Sequence, residues 1–158
     1  MERVHESRAV ISLLTQVTRR VIDSTIAFDV AANDARAFSY YVVLEHRAGE
    51  RKLIATRLQQ LIRSLGQRPP LLGTLAGVVR RVIGQILHRL FTNEAIIVEL
   101  FNRAERKTMA KFEQLLNHPH ISAETRAAVE QEFRCMHDGY LEFQKLAAEL
   151  RQRRGRGW

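Results

Sequence analysis

The chain is poor in everything that cross-links or interrupts a fold. A single cysteine in 158 residues rules out any disulfide within the chain. Three prolines and eight glycines leave long stretches with nothing to break a helix. Long apolar runs are missing as well. The longest stretch without Arg, Lys, Asp or Glu is the eleven residues 69–79, whereas a membrane-spanning helix needs about 20 apolar residues. The N-terminus carries no compact apolar segment followed by a small-residue cleavage site. From these absences we expect a soluble, cytoplasmic protein with no transmembrane segment. Catalytic motifs are also lacking. There is no G-x-S-x-G turn, and "GTLAG" at 73–77 has neither the lysine nor the glycine spacing of a phosphate loop.

What is present is charge and helical periodicity. The net charge is +8, and 21 of the 25 basic residues are arginine. Four of them, Arg151, Arg153, Arg154 and Arg156, crowd the last eight residues, so the remainder of the chain is only mildly basic. That tail has two glycines and no apolar period, so 151–158 is expected to be disordered. It suits weak, non-specific contact with nucleic acid or an anionic membrane surface, with Trp158 free to stack on a base. A solvated tail that keeps the protein soluble is the preferred reading.

Apolar residues recur at helical spacing over 1–150, which is expected to form one domain. A first helix is predicted from about Glu6 to Ala32, with the stripe Val10, Leu14, Val17, Val21, Phe28 and Ala31. Ser24 fills one inward step. Asn33-Asp34 offers a turn and a fresh N-cap. The second helix runs to about Leu65 with the stripe Ala37, Tyr41, Leu44, Ala48, Ala55, Leu58, Ile62 and Leu65. Gly66 is a natural C-cap and Pro69-Pro70 forbids continuation. Thr92-Asn93 precedes a helix from Glu94 to about Leu116, with the stripe Ile97, Phe101, Ala104, Thr108, Phe112 and Leu115. After "NHPH" (117–120), Ser122 caps a last helix to about Leu150. Its stripe, Val129, Phe133, Met136, Tyr140, Phe143, Ala147 and Leu150, is the seam of a bundle.

The short loops make two antiparallel hairpins, joined by a long crossover, 66–93. Within it, "LAGVVRRVIGQILHRLF" (75–91) is predicted to form an extra short amphipathic helix. Its apolar half suits a membrane surface, but a strap across one edge of the bundle explains the length of the connection better. The expected fold is therefore all-α, a four-helix bundle with ferritin-like connectivity.

"LQQLIRSLGQRPPLLGTLAG" (58–77), "VELFNRAERKTMAKFEQLL" (98–116) and "MHDGYLEFQKL" (136–146) stand in that order and spacing. Together they resemble a bacterial ferritin-like family of four-helix-bundle proteins that is a domain of unknown function. The resemblance spans about residues 8 to 150 and implies the fold more firmly than any activity.

Ferritin-like di-iron sites use one Glu from each of two helices and Glu-x-x-His from each of the other two, because i and i+3 share a helix face. The only literal Glu-x-x-His here is Glu2 to His5, so the standard site is absent in its usual form. By resemblance, Glu45, Glu105 and His137 fall where such a fold places metal ligands, with Asp23, His46 and Glu99 as further candidates. Iron or manganese would suit that set. Arg134 stands where an acid is expected, and Ala48 where a His is expected. The same residues also suit ion pairs with Arg47, Arg51 or Arg134. His118 and His120 flank Pro119 without a third ligand, and Cys135 beside the last seam reads as a small core residue rather than a redox thiol.

Three functional readings follow. The leading one is a non-enzymatic ferritin-like bundle, a dimer or larger homo-oligomer with a stress-related role and at most a degenerate metal site. The second is a di-iron or di-manganese oxidase or iron handler. The third is nucleic-acid or membrane-surface binding through the basic tail.

Overall fold

A computed structural model of the protein describes residues 5–34, 41–73 and 94–156. Among these residues there are four α-helices and no strand: α1 (Arg8–Asp34), α2 (Tyr41–Ser64), α3 (Glu94–Leu116) and α4 (Ala123–Gly155). The proposed strap helix 75–91, the Thr92-Asn93 cap, Ala37 and Trp158 lie outside the described residues, as do the side chains of Tyr41, Ile97 and Arg154.

Helix boundaries follow local chemistry. Gly66 ends α2 with φ 79°, a backbone conformation glycine adopts without strain. Gly66 N–H bonds to the Arg63 carbonyl at 2.9 Å and Gln67 N–H to that of Ile62 at 3.1 Å, which satisfies carbonyls the helix end leaves open. Ser122 caps α4, its hydroxyl accepting from the Thr125 amide at 3.2 Å. Two expectations are corrected. α1 does not stop at Ala32 but continues through Asp34, and the start expected for the second helix falls on residues 35–40, outside the described residues. α4 does not end at Leu150, and the Arg/Gly stretch expected to be disordered is helical through Gly155. Arginine is a good helix former and nothing before Gly155 breaks the ladder.

The helices pack as a ring: α1 on α2 and α3, and α4 on α3 and α2. Phe28, late in α1, stacks on Phe101, early in α3, with centroids 4.7 Å apart. Val10 and Leu14, early in α1, share a cluster with Phe112 and Leu115, late in α3. α1 and α3 are thus antiparallel. By the same reasoning α2 ends near the start of α1 and α3 starts near its end, so the α2–α3 connection joins opposite ends of the bundle.

The expected stripes are largely the core. Val10, Leu14, Val17, Val21, Phe28 and Ala31 are all buried, as are Leu44, Ala48, Ala55, Leu58 and Ile62. Ala104 is a correction: it is exposed, and its neighbour Glu105 points inward instead. A further acid ties the ends of two helices. Glu6 is buried and its Oε1 accepts the Ser122 amide at 2.8 Å. Burial pushes its carboxyl up, but hydrogen bonds to Ser122, Thr125 and Ser7 outweigh this and hold it below its ordinary value. Glu132, on α4, goes the other way. Burial raises it, and Arg57 at 3.4 Å offsets this only in part.

Candidate site at the bundle centre

The apolar core is two clusters rather than one. The first contains Val21, Ile54, Met109 and Met136. The second contains Phe28, Ala48, Phe101 and Phe143. Between them every helix contributes a residue that is not apolar bulk: Ser24 from α1, Arg47 and Arg51 from α2, Glu105 from α3 and Gly139 from α4. Ser24, Arg51 and Glu105 sit where the stripe of their helix passes from one cluster to the other, and Gly139 lies within a turn of that point on α4.

Arg51 is fully buried, with 0% exposure, and Glu105 has 2%. Arg51 Nε donates to Glu105 Oε2 at 2.9 Å, and Arg51 Nη2 donates to the same oxygen. Glu105 Oε1 accepts from the Ser24 hydroxyl at 2.6 Å. Both carboxylate oxygens are therefore engaged. Arg47, one turn before Arg51, is also buried and pairs with Glu50 at 2.5 Å and with Glu142 of α4. Arginine suits such a layer because its planar fork stays charged and is less strongly hydrated than an ammonium.

Gly139 makes room for the two guanidiniums. A Cβ on it would stand 2.2 Å from Arg47 Nη1 and 3.1 Å from Arg51 Nη2. Ala48 and Ala55 flank Arg51 one turn either side on α2, so the layer is built from small residues around large cations.

The sequence-derived candidates scatter around this layer. Glu105 belongs to it. Glu45 and His46 are exposed on α2, and His137 is exposed on α4. Glu99 is half-buried and lies 3.8 Å from both Arg106 and Arg151. Asp23 is half-buried on α1 against Gly73, where a Cβ would approach its Oδ1 to 1.8 Å. Arg151, Arg153 and Arg156 are exposed. Among the described residues, no three His, Cys, Asp or Glu side chains are grouped to hold a metal ion. His118 Nδ1 accepts from the His120 backbone N–H at 3.2 Å, so it serves the turn. Arg134 is exposed, and Cys135 is a half-buried free thiol.

Sequence reasoning named Arg47 and Arg51 only as ion-pair partners and passed over Ser24 and Gly139 as site residues. A signal existed for Arg51. Between Ala48 and Ala55 the second stripe skips an inward step, and the arginine occupies it.

The described residues thus define an all-helical, four-helix protein with a charged layer across its middle. No helix among them is long and apolar enough to cross a membrane. Residues 9–118 match the family described as "Domain of unknown function (DUF2383)", and the chain belongs to that family. The match covers nearly all of α1 and the whole of α2 and α3. Ser24, Arg51 and Glu105 lie inside it, while Gly139 and the rest of α4 lie beyond it. No curated protein and no solved structure matches the chain.

Proposed function

We propose that the protein is a non-enzymatic, ferritin-like four-helix bundle whose centre is closed by an arginine–carboxylate layer rather than held by metal. The observation that carries this reading is the Arg51–Glu105 pair. Glu105 is the buried member of the ferritin-like ligand set, and both its oxygens are engaged. A guanidinium 2.9 Å from the carboxylate opposes a dication at the same oxygens. Glu45 and His137, the other expected ligands, are exposed on α2 and α4. The connection between opposite ends of the bundle supports the ferritin-like topology. Such a bundle would act by binding or assembling, and the dimer remains the expected form. Val42 and Leu53, 60% and 56% exposed on α2, offer apolar surface for it.

The test is metal analysis after aerobic loading of the purified protein with ferrous or manganous salt. We expect well under one equivalent per chain, unchanged in Glu105→Ala. A stoichiometric metal content that Glu105→Ala abolishes would overturn the proposal and restore the oxidase or iron-handling reading.

A further inference from the structure

The outward side of α2 carries apolar residues as well as the inward one. Val42, Gly49, Leu53 and Thr56 are spaced seven, four and three residues apart, so they share one face of the helix, and all four are exposed. Val42 and Leu53 are 60% and 56% exposed, and a Cβ placed on Gly49 meets no heavy atom within 4 Å. Nothing among the described residues covers the middle of this face.

Glu45, Lys52 and Gln59, each seven residues beyond the last, line one flank of it. Gln59 Nε2 donates to the Pro70 carbonyl at 2.9 Å, which holds the chain beyond α2 against that flank. Leu71 and Leu72 follow at once and are 73% and 70% exposed. Four of the six large apolar side chains exposed among the described residues therefore gather on one side of the molecule, while Leu100 and Leu141 stand apart on α3 and α4. A gathered apolar surface of this kind marks contact with another macromolecule.

The charges select the partner. Glu45 and Lys52 lie equally far on either side of the point between Ala48 and Gly49. Two antiparallel copies of α2, related by a two-fold axis at that level, bring each Glu45 level with Lys52 of the partner subunit on the same flank. The same axis brings Val42 beside Leu53 of the partner subunit. A parallel pair would leave Glu45 and the partner's Lys52 two turns apart, about 10 Å. A partner of single charge would meet one matching and one opposing side chain. We propose that two copies of this chain pair through antiparallel α2 helices centred between Ala48 and Gly49. The inference rests on the assembling bundle proposed above. Metal analysis tests that reading, whereas the state of association tests this one. One helix pair with its loop leucines buries less than the roughly 800 Å² per partner of a standard interface, so the dimer is a weak one.

The measurement is sedimentation equilibrium of the full chain from about 10 μM to 1 mM at low salt, the range in which a weak dimer forms and dissociates. The parent should pass from monomer to dimer across it. Leu53→Glu should weaken association at least about tenfold. Leu141→Glu, at a side chain 43% exposed on α4, should leave it unchanged. Glu45→Lys and Lys52→Glu should each weaken association at least about threefold, and the double variant should recover the parent's. All of these side chains are exposed, and circular dichroism checks that each variant is folded. A parent that stays monomeric throughout would assign the face to a different partner and overturn the proposal. A Leu53→Glu variant that dimerises like the parent, or a double charge variant no better than the single ones, would overturn it too.

Discussion

Arg51 and Glu105 belong to helices that stand diagonally across the bundle, α2 and α3, yet they meet with Arg51 Nε 2.9 Å from Glu105 Oε2. The ring of helix packing never brings those two backbones together. The long side chains of arginine and glutamate bridge the interior between them. The pair therefore ties the diagonal, and Ser24 links it to α1. Removing two charges from water is costly, and the attraction repays it only when the geometry is good and the remaining donors are met. Here Arg51 Nη1 and Arg47 Nε have no hydrogen-bond partner, so the layer is not fully satisfied.

Replacing Arg51 by Met should destabilise the protein by about 3–5 kcal/mol, because Glu105 would be left buried and unpaired. Glu105→Leu should cost a similar amount by stranding Arg51. The double variant Arg51→Met with Glu105→Leu should be more stable than either single one, since apolar pairs of similar volume replace buried ion pairs at little cost. Urea unfolding of the four proteins measures the coupling. Additive losses would show that the two residues act separately.

Two glycines should respond in opposite directions. Gly139→Ala puts a methyl 2.2 Å from Arg47 Nη1, so a buried guanidinium must shift, and should cost about 1–3 kcal/mol as overpacking. Gly49→Ala, on the exposed face of α2 with nothing within 4 Å, should stabilise by about 0.5–1 kcal/mol through helix propensity. Thermal melts of both variants against the parent check the contrast.

Glu6→Gln should cost about 1 kcal/mol at pH 7, the value of a charged acceptor at a helix N-terminus. The folded Glu6 carboxyl lies below its ordinary value. Its contribution is therefore full above the unfolded value of about 4.3 and is lost as pH falls through the folded one. The stability gap between parent and variant should shrink below about pH 4, as read by denaturant midpoints across pH 3–7.

Glu132→Gln should behave oppositely. Burial raises this carboxyl, with Arg57 compensating in part, so the folded state prefers the protonated form. The ionised group then costs stability above its folded value, and the advantage of the acid form is lost as pH rises through it. At pH 7 the variant should gain up to about 1 kcal/mol, and the gain should fade in acid. The same denaturant series decides it.

Much of the architecture was legible because helical burial is a local signal. Val10, Leu14, Val17 and Val21 repeat at 3.6-residue spacing, and each is buried. Ser122, Gly66 and the 94–116 helix were readable from capping chemistry and periodicity alone. Less of the site was legible. Ala104 and Glu105 are neighbours on one helix, and the apolar pattern assigns Ala104 to the core. An alanine gains little from burial, whereas Phe101, Met109, Phe112 and Leu115 fix the phase of α3, and that phase turns Glu105 inward, where it needs a cation. That cation is Arg51, 54 positions away in the chain. The end of α4 was misread for a related reason, since an arginine-rich end without apolar residues has no stripe to follow.

By itself the sequence determined a helical chain, the place of most helices, the apolar stripes that bury and the impossibility of a disulfide within the chain. Each follows from backbone sterics or from periodicities a few residues long. Tertiary structure alone decided which charges became interior. Arg51, Glu105 and Ser24 come from three different helices, and the space their guanidinium layer needs is left by Gly139 on the fourth. Burial of a charge is stable only with its partner in place, and partners across a bundle are distant in the chain.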